Sequence, residues 1–354
     1  RSAADEVVEM DGRRALRLPC NFQGTRHDRA SWDREVKLDL VGCRGLQFDL
    51  FCANPSPVSH FSFFFRSGNG WYTASFAPET STGWSRVTIE KTDTRIEGTP
   101  AGWGTIGTLR ISAWRGRNED TEFYVANLGL LGADAPIVVV RSESAAKTSP
   151  GEARGAAEFA KAMADTLDRL GLPFVVISDL DLTAERLKGR AVVVLPYSPG
   201  MPDSVADTLV GYLKGGGKLI SFYTLHWKLR EAAGIPGSQH VPQKYSGHFA
   251  EIRAAGDGLM GLPPVVKQKS WNVAHSEALA GKSRVVATWF DDKGQSTGEA
   301  AIVVSDNTIH MTHVLLGDDL ANKDRLVLAM VGHFAPKLWE RVAEAALRRM
   351  THFG

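Results

Sequence analysis

The sequence predicts two domains, an all-β sandwich or barrel followed by a doubly wound α/β domain. Its 354 residues favour two domains over one. Residues 1–134 alternate apolar and polar side chains in short runs separated by turn residues, which is typical of a sandwich or barrel. Residues 135–354 alternate short, continuously apolar runs with helical patterns, which indicates a parallel sheet covered by helices on both sides.

The first domain is predicted to contain strands and no helix, because no segment in it has helical periodicity. Turn residues such as Asn54-Pro55 and Gly68-Asn69-Gly70 separate the period-two runs. Side chains two residues apart share one face of a strand, so each run has an apolar set for the core and an opposite set. The predicted strands are residues 35–40, 46–52, 60–66, 71–76, 84–91, 108–114 and 122–128.

The second domain is predicted to begin after residues 132–136, where the composition of the chain changes. Residues 232–281, rich in Gly, Pro and His, are predicted to be irregular and to form a lid or an insertion on the rim. Before this segment, strands at residues 137–140, 174–178, 191–195 and 218–223 alternate with helices at 151–170, 183–188 and 202–214. After it come strands at 284–290, 299–305 and 308–315, then a helical stretch from 322 to 350 that Pro336 interrupts.

The bulk composition excludes several classes of partner. A formal net charge of +1 gives no global field towards nucleic acid or an anionic membrane. The longest apolar runs are also far shorter than the roughly 20 residues that span a bilayer, so we expect neither partner. The chain begins with Arg1 rather than Met, from which we expect a removed leader and a secreted or periplasmic location. Its abrupt end at Gly354 indicates a piece of a longer protein.

Cys20, Cys43 and Cys52 are the three cysteines of the chain. An odd count cannot form a complete disulfide set, and the spacing is not that of metal ligands. Cys43 and Cys52 lie beside apolar strand positions, which favours buried free thiols over the alternative of one disulfide.

Histidines in the predicted irregular segment raise the question of a metal site. His240, His248 and His275 could converge there with Asp257 or Glu277. Their spacing matches no metal-binding motif, so we predict no metal and no other cofactor. Adjacent carboxylates elsewhere lie in turn-like contexts, and we nominate no catalytic residue.

A series of short motifs runs through the first domain. They are Gly45-Leu46-Gln47-Phe48-Asp49-Leu50, Gly70-Trp71-Tyr72, Trp84-Ser85-Arg86-Val87-Thr88-Ile89, Gly102-Trp103-Gly104-Thr105-Ile106 and a closing Phe123-Tyr124-Val125-Ala126-Asn127-Leu128-Gly129-Leu130. In this order the segment resembles galactose-binding-like β-sandwiches, which include many carbohydrate-binding modules. The resemblance implies a jelly-roll sandwich over residues 1–134.

The second domain carries four motifs of another kind: Pro136-Ile137-Val138-Val139-Val140, Ala191-Val192-Val193-Val194-Leu195-Pro196, Leu213-Lys214-Gly215-Gly216-Gly217-Lys218-Leu219-Ile220 and Ile309-His310-Met311-Thr312-His313. With them it resembles class I glutamine-amidotransferase-like domains. It is most similar to the non-catalytic version in multidomain glycoside hydrolases, such as the trimerisation domain of some β-galactosidases. The resemblance implies a flavodoxin-like doubly wound sheet over residues 135–354.

The same resemblance implies a nucleophilic cysteine on the turn after strand 218–223 and an activating histidine near the end of a late strand. No cysteine follows Cys52, and thiolate chemistry requires a thiol, so amidotransferase activity is excluded. Thr224 and His313 are predicted to mark the vestigial positions. Thr224 is an alternative nucleophile, with His226 as the one base close to it in sequence.

The opposite faces of the first domain's strands carry the strongest indication of a binding site. They mix aromatic rings with Arg, Asp, Gln and hydroxyl side chains, a combination that suits sugars, whose C–H faces stack on rings and whose hydroxyls need donors and acceptors. The alternative is that this surface packs against the second domain, with arginines stacked on tryptophans. The candidate carbohydrate-binding residues are Trp71, Trp84, Trp114, Arg66 and Arg110.

We therefore predict an accessory region of a carbohydrate-active protein. In this hypothesis the sandwich binds a glycan or polysaccharide, and the α/β domain supports assembly as a homo-oligomer. One alternative is a glycoside hydrolase or related hydrolase with its site between the two domains, using acids of residues 232–281. Another is a purely structural oligomerisation module that binds no ligand.

Overall fold

The computed structural model describes residues 5–77, 83–133, 135–256, 258–340 and 342–344. The chain divides into two compact units, residues 1–134 and residues 135–354. Asp257, together with residues 341 and 345–350 of the predicted helical segment after Pro336, lies outside the described residues. None of the helices in the described part of the chain has the length and apolar character that crossing a bilayer requires.

The first unit is built from two antiparallel five-stranded sheets, in the orders β1-β2-β10-β4-β7 and β3-β9-β5-β6-β8. Rings from the two sheets meet between them, as at Phe48 and Phe63, whose centroids are 5.7 Å apart. The strands are β1 (Glu6–Met10), β2 (Arg13–Cys20), β3 (Arg29–Leu38), β4 (Gly45–Phe51), β5 (Val58–Ser67), β6 (Asn69–Phe76), β7 (Ser85–Glu90), β8 (Arg95–Thr99), β9 (Ile106–Arg115) and β10 (Thr121–Leu131).

Three of these strands, β1, β2 and β8, are absent from the sequence prediction. All five residues of β8 are exposed, and β1 buries none of its side chains fully. A strand without a buried face has no hydrophobic alternation, so its sequence has no period-two signal. The three cysteines of this unit are buried free thiols, as the sequence predicts.

The core of the first unit contains one fully buried tryptophan, Trp103. Its ring stacks on Tyr72 with centroids 4.0 Å apart and meets the edge of Phe65 at 5.2 Å. The ammonium of Lys91, also buried, lies 5.3 Å from the Trp103 ring centre and donates to the carbonyl of Val41 at 3.0 Å. The tryptophan therefore both fills the core and faces a buried cation.

The second unit has a nine-stranded sheet flanked by helices. Five parallel strands lie in the order β12-β11-β13-β14-β21, the doubly wound order of flavodoxin-like sheets. They are β11 (Ile137–Arg141), β12 (Phe174–Ser178), β13 (Val192–Leu195), β14 (Leu219–Phe222) and β21 (Thr308–Met311). The helices are α1 (Ala145–Thr148), α2 (Ala153–Arg169), α3 (Ala184–Leu187), α4 (Asp203–Lys214), α5 (Trp227–Ala233) and α6 (Leu320–Phe334).

The sheet of the second unit is mixed, which corrects the prediction of a parallel sheet. Four antiparallel strands continue it beyond β21, in the order β20-β19-β16-β17. The remaining strands, β15 and β18, pair with each other. These six strands are β15 (His240–Pro242), β16 (Phe249–Ala254), β17 (Val265–Ser270), β18 (Asn272–Ala274), β19 (Ser283–Phe290) and β20 (Ser296–Ser305).

The segment 232–281, predicted to be irregular, contains the strands β15 to β18. The buried positions of β17 show why the prediction was wrong. They are Val266, Gln268 and Ser270, so two of the three are polar. Gln268 is satisfied inside the protein by hydrogen bonds to Ser270 and to the Val314 carbonyl. A strand whose inward side chains are polar but hydrogen-bonded does not alternate in hydrophobicity.

Candidate functional site

Four of the five predicted sugar-binding residues share the outer face of one sheet of the first unit. Arg66 on β5 lies directly opposite Trp71 on β6, and Arg110 and Trp114 project from β9, which pairs with β5 on its other side. Phe64 stands opposite Arg110 in the same register. The structure thus brings together the four residues that the alternation of their strands placed on one side.

Trp84 does not belong to this group. It immediately precedes β7, which pairs with β4 in the other sheet, and its ring lies 5.7 Å from Phe51 and 5.0 Å from the Arg13 guanidinium. Alternation within a strand says which side chains share its face, but it does not say which sheet the strand joins. Because successive strands of this unit pass between two sheets, the mixed set that the sequence suggested is divided over two surfaces.

The outer face of the sheet β3-β9-β5-β6-β8 contains residues that the sequence analysis did not nominate. Arg29 and Asp33 project from β3, whose prediction began six residues too late, at residue 35. His60 precedes Ser62 and Phe64 on the same face of β5 and could have been found by extending their alternation by one step. We call this surface the arginine–tryptophan face, defined by Arg29, Asp33, His60, Phe64, Arg66, Trp71, Arg110 and Trp114.

Cationic and aromatic side chains are interleaved on the arginine–tryptophan face. The Arg29 guanidinium lies 4.8 Å from the Trp114 ring centre, and the His60 ring stacks on Trp114 at 5.4 Å. At the other end, the guanidiniums of Arg110 and Arg66 lie 4.7 Å and 5.9 Å from the Trp71 ring centre. A guanidinium stacked on a ring has restricted motion, while its N–H groups stay available at its edge.

A row of hydroxyls crosses the middle of this face. The register aligns Ser31, Ser112, Ser62 and Ser75 on four neighbouring strands. The hydroxyls of Ser31 and Ser112 are 2.8 Å apart, and the indole N–H of Trp114 donates to Ser62 at 3.0 Å. Small polar side chains thus separate the Trp114 end of the face from the Trp71 end.

Charge on the arginine–tryptophan face is only partly compensated. Arg110 donates two hydrogen bonds to Asp33, at 2.6 and 2.7 Å. These bonds, with the nearby charges of Arg110, Arg29 and Arg66, hold the pKa of Asp33 below its usual range despite partial burial. Among the described residues, no carboxylate lies within ion-pairing distance of Arg29 or Arg66. Two guanidiniums on this face are therefore available to another partner.

In the second unit, the turn after β14 begins with a strained tyrosine, Tyr223. Tyr223 has φ of 58°, in the left-handed region that aromatic residues seldom adopt. Thr224, the residue predicted for the vestigial position, follows this strained residue, and its hydroxyl accepts a hydrogen bond from the Ser198 amide at 3.2 Å. A phenol at this position cannot perform thiolate chemistry.

His313, predicted as the vestigial histidine, lies just after β21 and against the same turn. Its ring centre is 5.5 Å from that of Tyr223 and 4.9 Å from that of Trp271. Its Nδ1 is 3.0 Å from the Val314 carbonyl. Burial lowers the pKa of His313 to about 4, so the imidazole is neutral at pH 7. His313 is thus a buried ring of the aromatic cluster around Tyr223.

The histidines of the segment 232–281 are separated by the fold. His275 bonds Glu299 through Nδ1 at 2.8 Å and Glu277 through Nε2 at 3.1 Å, while His248 packs against Phe249. His240 is exposed on β15. In the part of the chain that the structure describes, no group of three or more His, Cys, Asp or Glu side chains is placed to hold a metal ion.

The fold and these sites define a β-rich unit with an aromatic, arginine-bearing sheet face, joined in one chain to an α/β unit without a thiol. No family model and no curated protein matches the sequence. The solved structures that resemble the chain include ThuA-like, glutamine amidotransferase, β-galactosidase and carbohydrate-binding-module structures.

The sequence identity, TM-score and coverage of three of these solved structures show how far each likeness extends. A ThuA-like protein from Bacteroides uniformis has 13% sequence identity and a TM-score of 0.42, over 57% of this chain and 93% of that chain. A β-galactosidase from Halorubrum lacusprofundi has 20% identity and a TM-score of 0.40, over 56% of this chain and 30% of that chain. A family 11 carbohydrate-binding module from Clostridium thermocellum has 15% identity and a TM-score of 0.28, over 37% of this chain and 82% of that chain. At these values the likenesses carry no information about activity.

Proposed function

We propose that the first unit is a glycan-binding module and that the arginine–tryptophan face is its binding surface. The proposal rests on one observation, the interleaving of half-exposed rings with guanidiniums and hydroxyls on a single sheet face. The C–H groups of a sugar pack on aromatic rings, and its hydroxyl oxygens accept hydrogen bonds from the N–H groups of a guanidinium. On this proposal the module is of the jelly-roll, galactose-binding-like kind.

The length of the arginine–tryptophan face favours an oligosaccharide over a single sugar as the ligand. Trp114 is aligned with His60, and Trp71 with Arg66, six residues further along β5. At the rise of an antiparallel strand, this separates the two tryptophans by about 20 Å along the strand direction. An oligosaccharide can therefore contact both ends of the face at once.

The uncompensated arginines extend the proposal to the charge of the glycan. Arg29 and Arg66 lie at opposite ends of the face, each beside a tryptophan ring. A planar guanidinium binds a carboxylate or a sulfate through two parallel hydrogen bonds. The preferred ligand is accordingly a polysaccharide with acidic groups, and its affinity falls as the salt concentration rises.

Replacement of the rings tests the proposed surface. We expect Trp71→Ala and Trp114→Ala each to weaken binding of an acidic polysaccharide by about tenfold, equivalent to about 1.4 kcal/mol. The loss follows from removing a stacking platform together with the guanidinium that it orients. Affinity electrophoresis and titration calorimetry of the full chain, against a panel of neutral and acidic polysaccharides, measure the effect.

Trp84→Ala is the matched control, because Trp84 is a half-buried tryptophan of the same unit on the other sheet. It should bind as the unchanged protein does. An equal loss of affinity in Trp84→Ala would contradict the assignment of the face. Failure of every polysaccharide to retard the folded protein would contradict glycan binding altogether.

The two other functions predicted from the sequence stay predictions. A hydrolase would need an acid pair, and of the two acids considered, Glu277 is exposed and bonded to His275. Hydrolysis of chromogenic glycosides, lost in Glu277→Gln, would support that alternative. Assembly through the α/β unit predicts an oligomer in light scattering at micromolar concentration, and a monomer would contradict it.

A further inference from the structure

We propose that the carboxyl ends of β13, β14 and β21 form a second binding site, which takes a neutral hydroxyl-bearing ring such as a single sugar unit. In doubly wound sheets, ligands bind outside the carboxyl ends of the parallel strands. Here that edge combines a strained residue, an arc of rings that reaches the surface and two buried polar atoms that have no partner in the described part of the chain. These observations concern the second unit and do not depend on glycan binding by the first.

The strained residue is Tyr223. A left-handed conformation is unfavourable for an aromatic residue and persists where surrounding contacts impose it, which happens most often at functional sites. Two hydrogen bonds hold the turn that contains Tyr223. The Tyr223 amide donates to the Met311 carbonyl at 2.8 Å, and the next hydroxyl along the chain, that of Thr224, accepts from Ser198. The Tyr223 ring contacts the ring of Tyr197, which follows β13, and that of His313, which follows β21.

The rings form a continuous arc across this edge. Tyr197, after β13, lies 6.0 Å from Tyr223, which lies 5.5 Å from His313, which in turn lies 4.9 Å from Trp271. Trp271 is 52% exposed, whereas His313 is buried. The arc therefore runs from the interior to a tryptophan that is open to solvent and able to stack on a ligand ring.

Two buried polar atoms beside this arc lack partners among the described residues, the Ser198 hydroxyl and the Asn272 carbonyl oxygen. Ser198 is 5% exposed and is tied through its amide to the turn of Tyr223. Asn272 directly follows Trp271 in the chain, and its side chain lies beside the Tyr223 hydroxyl. A buried polar atom without a partner costs free energy, and a ligand hydroxyl that donates to one and accepts from the other removes that cost.

The charges at this edge favour a neutral ligand. Glu152 accepts a hydrogen bond from the Tyr197 hydroxyl at 3.0 Å. Lys323, whose charge acts on His313, is bonded to Asp318 and to the Leu316 carbonyl. The Lys323 ammonium is therefore paired, and the Glu152 carboxylate disfavours an anionic ligand. The groups left for a ligand are a hydroxyl, an amide oxygen and aromatic faces, which together recognise a polyol ring.

Saturation-transfer NMR on the full chain tests this site, with D-glucose, D-galactose, D-mannose and their methyl glycosides as probes. We expect transfer from the protein to at least one probe, and a dissociation constant about tenfold larger in Ser198→Ala and in Trp271→Ala. Trp227→Ala is the matched control, because Trp227 is 62% exposed on α5 in the same unit. Circular dichroism verifies that each variant is folded.

The ligand of this second site is either a free sugar or the terminal sugar of a glycan chain. Probing Trp114→Ala with linear oligosaccharides as well as monosaccharides distinguishes them, because this variant lacks a ring of the arginine–tryptophan face. Binding of either probe by Trp114→Ala, weakened about tenfold on adding Trp271→Ala, supports the second site, and the probe that binds identifies the source. Binding that disappears in Trp114→Ala alone, or no binding of any probe by the unchanged protein, overturns it.

Discussion

Trp103→Ala should destabilise the first unit by about 3–5 kcal/mol, the usual cost of removing a fully buried tryptophan. Trp103 is 1% exposed and stacks face to face on Tyr72. Its removal leaves a cavity in the core and takes away the ring that faces the buried Lys91 ammonium. Both effects act in the same direction, because a buried cation that loses a favourable contact is itself destabilising.

Hydrogen exchange, measured peptide by peptide, shows which of the two units loses stability. This assignment is needed because a chain of two units has no single free energy of unfolding. Protection should fall throughout strands β3 to β9 in Trp103→Ala and stay unchanged in β11 to β14. Trp71→Ala, a half-exposed tryptophan on the outer face of the same unit, is the control and should change protection little. Equal effects of the two substitutions would contradict the central role of Trp103.

Acidification from pH 6.5 to pH 4 should destabilise the second unit through His310 and His313, the two most deeply buried histidines among the described residues. Burial, and next the charge of Arg230, lower the pKa of His310 to about 3. Burial also lowers the pKa of His313 to about 4, with a contribution from Lys323. In the unfolded chain both imidazoles take up protons below their ordinary pKa of about 6.5.

The direction follows from proton uptake. Between pH 6.5 and pH 4 the unfolded state binds protons at His310 and His313 that the folded state does not bind, so stability falls as pH falls. Each histidine contributes about 1.4 kcal/mol per pH unit well inside this window. The stabilisation is fully present above pH 6.5 and is lost as pH approaches the folded pKa values.

His310→Asn isolates the contribution of His310. The asparagine amide can replace Nδ1, which lies 3.0 Å from the Ser221 hydroxyl, and it does not titrate. Chemical denaturation at several pH values should show that the slope of unfolding free energy against pH is smaller in this variant, by about 1.4 kcal/mol per pH unit well inside this window. His240→Asn, at an exposed position on β15, should keep the full slope. An unchanged slope in His310→Asn would contradict the assignment.

Much of the fold was predictable from hydrophobic periodicity. Strand β12 was predicted at its observed bounds because it is a continuous apolar run that is buried throughout, and helix α4 within one residue because its burial follows the helical period. Periodicity failed where burial did not follow hydrophobicity. Strand β8 has no buried side, and strand β17 buries hydrogen-bonded polar side chains. In both cases pairing with a neighbouring strand, rather than an apolar pattern, makes the segment a strand.

The candidate sites, like the fold, were predictable from the sequence only in part. Alternation along β5, β6 and β9 correctly grouped Arg66, Trp71, Arg110 and Trp114 on one side of their strands. The sequence did not reveal that Ser198 and Asn272 lie beside the turn of Tyr223, because these three residues come from three separate segments of the chain. No local pattern records a meeting of segments at one edge of a sheet.

By itself, the sequence determined the chemistry that the α/β unit cannot perform, because no thiol follows Cys52, and the set of side chains that each strand presents on one face. Only the tertiary structure decided which strands share a sheet, which residue occupies the strained turn and which buried polar atoms lack partners. The physical reason is that covalent composition and period-two alternation are local, whereas strand pairing, backbone strain and hydrogen-bond satisfaction depend on contacts between residues far apart in the chain.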